Sequence, residues 1–231
     1  MRMRNLLAIS ALVTTPAAAQ TTLETISIWD GSSGVTPFGK LNTATYGQTF
    51  TVPGSDNLLQ SFSFFLTDLS SGGDLRFQGY IAKWDTGIGA LTGPLLFQSA
   101  IQNGPAPGAG FTRYDFDVGG LPLTSGDVYL AFLSTSGLFA NIPIDQATAS
   151  VGVLQTNVDG GIGTFRFNNS GDVFSSLFLP SSWQMQDRDL AFEAVFDNVE
   201  PSVVPEPSTV LLLGTGLGIL LLGVRRGRRR V

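Results

Sequence analysis

Leu75-Arg76-Phe77-Gln78-Gly79-Tyr80-Ile81-Ala82-Lys83-Trp84 alternates with period two, placing Leu75, Phe77 and Ile81 on one side and Arg76, Gln78, Tyr80 and Trp84 on the other. Such alternation is the mark of a β-strand with two unlike faces, since successive side chains of a strand point in opposite directions. The same rule holds elsewhere. In Ser61–Leu66 (SFSFFL), Phe62, Phe64 and Leu66 share a face; in Phe111–Val118 (FTRYDFDV), Tyr114, Phe116 and Val118 alternate with Arg113, Asp115 and Asp117; in Asp189–Phe196 (DLAFEAVF), Leu190, Phe192 and Phe196 alternate with Asp189 and Glu193. Further strands are predicted at Glu24–Trp29, Tyr46–Val52, Leu95–Ala100, Asp127–Ser134, Ala149–Leu154 and Gly163–Phe167, about ten in all. The connections SSGGD (70–74), NGPAPGAG (103–110), TSGD (124–127) and NNSGD (168–172) carry turn chemistry. No window holds a helical period between residues 20 and 198. The expected fold is all-β, an antiparallel two-sheet sandwich whose strand count suits a jelly roll better than a seven-stranded immunoglobulin-like domain.

The two ends read differently. Residues 1–19 place Arg2 and Arg4 before an apolar run, Leu6–Val13, and the small residues Ala17-Ala18-Ala19, the pattern of a secretory signal peptide cleaved after Ala19 by signal peptidase. At the other end, a linker (199–203) leads to Val204-Pro205-Glu206-Pro207. The apolar segment Thr209–Val224 follows, and then Arg225, Arg226, Arg228, Arg229 and Arg230. As a helix, residues 209–224 cover about 24 Å, a short transmembrane span. The arginines hold the C-terminus on the cytoplasmic side, and the prolines keep the preceding segment extended and accessible.

This order of parts resembles the PEP-CTERM sorting signal of Gram-negative bacteria. The resemblance implies recognition by an exosortase at Val204, Pro205, Glu206 and Pro207, transient residence in the inner membrane, and delivery to the periplasm, outer surface or extracellular matrix, in association with exopolysaccharide and biofilm. More loosely, Gln48–Leu133 resembles the jelly-roll modules of such cargo and carbohydrate-binding sandwiches, which implies architecture and a binding role rather than catalysis.

Between the ends, residues 20–203 hold six basic residues against seventeen acidic ones, a net of −11, which disfavours nucleic acid and anionic membrane surfaces as partners. There is no cysteine and no histidine. Disulfides, thiolate chemistry and the commonest proton shuttle and zinc ligand are therefore excluded. The pattern G-x-S-x-G is absent as well, so the expected function is not enzymatic. A carboxylate-pair glycosidase, for instance through Asp115 and Glu193, is the remaining catalytic alternative.

Two ligand sites are candidates. Tyr80 and Trp84, about 13 Å apart on one strand face with Arg76 and Gln78 beside them, would make a stacking platform for an exopolysaccharide if that face is open to solvent; otherwise they are packing residues. Trp29 and Trp183 each stand alone and read as packing residues. The pairs Asp115/Asp117 and Asp187/Asp189 suggest calcium, with Asp189, Glu24 and Asp30 as the candidate ligands where first and last strands meet, although Arg113 and Arg188 offer simpler neutralisation. No other cofactor is expected. Gly160, Gly161 and Gly163 read as a hairpin turn.

Overall fold

The alternating runs form antiparallel strands. In chain order these are β1 (Thr21–Glu24), β2 (Gly34–Phe38), β3 (Thr45–Thr51), β4 (Leu58–Asp68), β5 (Arg76–Asp85), β6 (Ala90–Gln98) and β7 (Gln102–Asn103). There follow β8 (Thr112–Pro122), β9 (Val128–Ser134), β10 (Ala149–Gly152), β11 (Ile162–Asn168), β12 (Gln184–Gln186) and β13 (Phe192–Asp197). The computed structural model describes residues 20–40, 43–54, 56–69, 75–138, 148–158, 161–169 and 173–197. The chain divides into two units, Met1–Asn198 and Val199–Val231, and every described residue lies in the first. The expected signal peptide, linker, membrane helix and arginine tail lie outside the described residues.

One sheet runs β1-β13-β4-β10-β2, with β8 also on β4; the other runs β12-β11-β3-β9-β5-β6, with β7 also on β5. β4 is long enough to take β13 and then β10 along one edge while β8 runs along the other. The first strand thus lies beside the last, Glu24 opposite Glu193. The two sheets share one core. Phe38 meets Phe77 at 6.0 Å, Phe50 meets Phe192 at 6.0 Å, Phe62 meets Phe97 at 5.9 Å and Phe77 meets Tyr114 at 5.0 Å, each pair joining one sheet to the other. With no disulfide in the chain, this aromatic packing is what fixes the two layers.

Three differences from the sequence reading have local causes. No strand forms over Glu24–Trp29: β1 ends at Glu24, whose carboxylate accepts from the Ser27 backbone N–H at 2.8 Å, and Ile26–Ile28 turns as a 3-10 helix. Strands β2, β7 and β12 were not expected from the sequence: β2 contains Pro37, β7 is only two residues long, and Gln-Met-Gln in β12 has no apolar alternation; β2 and β12 are edge strands. The polar side of β5 is not solvated. Tyr80, Ala82 and Trp84 pack with Leu130, Phe132, Leu177 and Trp183 into a second apolar cluster on the outer side of their sheet, under the 3-10 turn Phe174–Phe178.

Candidate functional site

The face of β5 expected to form a stacking platform is covered by other parts of the chain. Arg76, Gln78, Tyr80 and Trp84 do share one face, but Gln78, Tyr80 and Trp84 retain only 7%, 2% and 3% of their exposure. Tyr80 stacks on Phe132 at 4.9 Å and meets Phe174 at 5.1 Å. Its hydroxyl donates to Gln78 Oε1 at 3.0 Å, and burial pushes its pKa up to about 12. Trp84 stands edge-on to Trp183 at 5.6 Å and carries the Arg166 guanidinium 5.2 Å above its ring. No ring face is left for a sugar, because the chain between β11 and β12 folds over this side of the sheet. Gln78 and Tyr80 line a cleft of about 210 Å³ with Gln98 and Phe174; Trp84 lines a different one, of about 310 Å³, with Asp85, Thr92 and the Lys83–Asp127 ion pair. Arg76 sits at the end of β5 opposite Asn103 of β7.

The calcium candidates are each held by local partners. Asp189 is fully buried; Oδ1 accepts from Gln48 Nε2 at 2.8 Å and Oδ2 from the Val158 N–H at 2.6 Å. Glu24 caps the turn at Ser27. Asp30 accepts from the N–H groups of Ser32 and Ser33 at 2.8 and 2.6 Å and from the Ser33 hydroxyl at 2.6 Å, which holds its pKa down to about 2. Among the described residues no three acidic side chains converge on one point. In the aspartate pairs, Arg113 Nε donates to Asp115 at 2.6 Å, Asp117 accepts from the Gly119 N–H at 3.0 Å, and Asp187 accepts from Asn157 Nδ2. Arg113 also donates to Glu193, so Asp115 and Glu193 flank one guanidinium on the outer side of their sheet.

That outer side carries an aromatic group that the sequence reading passed over. Trp29 lies 5.1 Å from Phe65 and 4.9 Å from Phe111, and Arg113 stands 5.8 Å over the Phe65 ring. All three rings are half-buried. The Trp29 indole N–H donates to the Ser33 carbonyl at 2.9 Å, which fixes the ring plane. Its Cζ2 edge rests on Gly152, where any Cβ would come within 2.8 Å of it. Beyond the indole opens a cleft of about 210 Å³ lined by Ile28, Asp30, Val153, Leu154, Gln155 and Thr156. One signal was available in the sequence: Phe65 is an aromatic residue at the wrong phase of SFSFFL, pointing away from the core that Phe62 and Phe64 enter.

Comparison with known proteins locates one family model and a distant structural likeness. Residues 203–230 match the PEP-CTERM protein-sorting motif. No curated protein matches the chain. Among solved structures, the cysteine protease and lectin-like domains of a surface-layer-associated protein of Clostridium difficile align with 11% identity and a TM-score of 0.45, over 80% of this chain and 37% of that one. A clostridial cysteine protease after propeptide cleavage aligns with 13% identity and a TM-score of 0.44, over 80% and 42%. The chain spans less than half the length of either. The sorting motif implies an exported protein that passes the membrane toward the cell surface with an exosortase as its processing partner.

Proposed function

We propose that the protein is a non-enzymatic β-sandwich of the Gram-negative cell surface or extracellular matrix, associated with exopolysaccharide and biofilm. The single observation carrying this reading is the sorting motif at residues 203–230, placed after an all-β unit. Export would begin with signal peptidase acting after Ala19. The helix at 209–224 and the arginines at 225–230 would then hold the chain briefly in the inner membrane, with the body outside the cytoplasm. The acidic excess of that body suits solubility there, and the function so described calls on no cofactor. Strand order supports a jelly roll: β1-β13-β4-β8 lie in one sheet and β3-β9-β5-β6 in the other, and the chain crosses between sheets at most steps of this set. The test is replacement of Pro205, Glu206 and Pro207 by alanine in a host that has an exosortase. Accumulation of unprocessed, membrane-held protein supports the reading; unchanged maturation and release overturns it.

A second reading, a carbohydrate-binding module, is favoured by the half-exposed ring group at Trp29, Phe65 and Phe111 beside a cleft that mixes apolar walls with Asp30, Gln155 and Thr156. It moves the expected binding surface from the covered face of β5 to the opposite sheet. The hydrolase alternative would use Asp115 and Glu193, both of which are engaged by Arg113.

A further inference from the structure

We propose that the Trp29 cleft is a subsite for one pyranose ring of an uncharged glycan, with Phe65 and Phe111, tilted at 50° and 89° to the indole, bracing it from the side. This rests on the carbohydrate-binding reading. A sugar ring offers an apolar C–H face and a rim of hydroxyls, so its receptor needs an aromatic wall held in place and hydrogen-bonding groups around it.

The wall is pre-oriented. The indole N–H is spent on Ser33, Gly152 leaves room for the ring to lie against β10, and Phe65 and Phe111 buttress it. A ring already fixed loses little rotamer freedom when a ligand arrives. The rim is polar and of the right sign. Asp30 is a permanent acceptor whose geometry is set by Ser32 and Ser33. Gln155 donates through Nε2 to the Ser33 hydroxyl at 3.1 Å, which leaves its Oε1 turned to other donors, and Thr156 adds a hydroxyl. Ile28, 59% exposed, gives the cleft an apolar lip.

Charge selects among glycans. Asp30 lines the cleft, Glu24 caps the turn that leads into it, and on the outer side of the sheet Asp115 and Glu193 together engage Arg113. With the exported body at six basic against seventeen acidic residues, a polyuronate would be repelled at contact and at range. An uncharged chain meets no such penalty.

The test uses the full chain in detergent micelles with four probes: cellohexaose, maltohexaose, mannohexaose and hexagalacturonate. At least one neutral hexaose is expected to bind, and hexagalacturonate to bind about tenfold or more weakly. Tryptophan oxidation by N-bromosuccinimide, read by mass spectrometry, is expected to strike Trp29 before the buried Trp84 and Trp183, and the bound neutral hexaose to slow oxidation at Trp29. Trp29→Ala is expected to weaken binding about tenfold. Thr156→Ala, an exposed substitution that leaves the core intact, is expected to weaken it several-fold, and Trp84→Phe to leave it unchanged. Binding with Trp29 unprotected and with Thr156→Ala unaffected would move the glycan elsewhere and overturn the subsite, while the carbohydrate-binding reading stood. Failure of all three neutral hexaoses to bind would overturn both.

Discussion

Gln48 and Asp189, far apart in sequence, meet inside the sandwich as a fully buried pair: Gln48 Nε2 donates to Asp189 Oδ1 at 2.8 Å while Gln48 Oε1 accepts from the Leu190 N–H at 2.9 Å. The Val158 N–H supplies the second carboxylate oxygen at 2.6 Å. Three separate segments are joined by two side chains: strand β3, the loop after β10, and the approach to β13. A buried carboxylate without such partners would be strongly unfavourable, so the network specifies where the last strand enters the sheet.

Gln48→Ala leaves Asp189 and the Leu190 N–H each short of a partner in a buried place. A loss of about 2–4 kcal/mol is expected, read from urea unfolding, with Asp189→Asn milder because the amide can still accept from Val158.

Stability should carry two opposite pH signatures. Burial pushes the Asp189 pKa above the usual 3.8, opposed by the bonds from Val158 and Gln48. An acid raised in the folded state binds its proton more tightly there. Its contribution is complete below pH 3.8 and is lost as the pH rises through the folded value. Asp30, held down to about 2 by Ser33 and Ser32, behaves the other way: its contribution is present above pH 3.8 and is lost as the pH falls through about 2. Unfolding midpoints of the native chain, Asp189→Asn and Asp30→Asn across about pH 2 to 7 separate the two. Asp189→Asn should abolish the decline with rising pH, and Asp30→Asn should flatten the acid limb.

Gly79 sets how closely the sheets approach. A Cβ there would fall 2.5 Å from Phe116 of the opposite sheet, itself stacked on Phe62 at 4.7 Å. Gly79→Ala is expected to cost about 1–3 kcal/mol by overpacking. A companion Phe116→Leu should recover part of that loss, which a double-mutant cycle would measure.

Trp84 is a core residue of the outer cluster. Trp84→Ala is expected to cost about 3–5 kcal/mol in chemical unfolding. It should also free the covering segment Phe174–Phe178, seen as faster amide exchange from Ser176 to Leu179.

Strand assignment was legible from period two alone because the direction of a side chain along a strand is a local property. The runs around Phe62, Phe77, Phe116 and Phe192 became strands β4, β5, β8 and β13. The Pro-Glu-Pro motif was equally local: a short chain segment that carries its own meaning, matched over residues 203–230. Sequence could not say what covers a strand face. Trp84 reads as half of a platform with Tyr80 and Trp29 as a lone packing residue, yet Trp84 lies under Trp183 and the turn at Phe174–Phe178 while Trp29 stands half-open beside Gly152. Period two separates the two faces of β5 without saying which of them meets water. That depends on where a connection many strands later lies down, and burial of the second face against Leu177 and Trp183 is a tertiary event with no trace in the local alternation. Sequence by itself therefore determined the sheet-forming pattern and the sorting address, and only the tertiary packing decided which aromatic surface is left for a ligand.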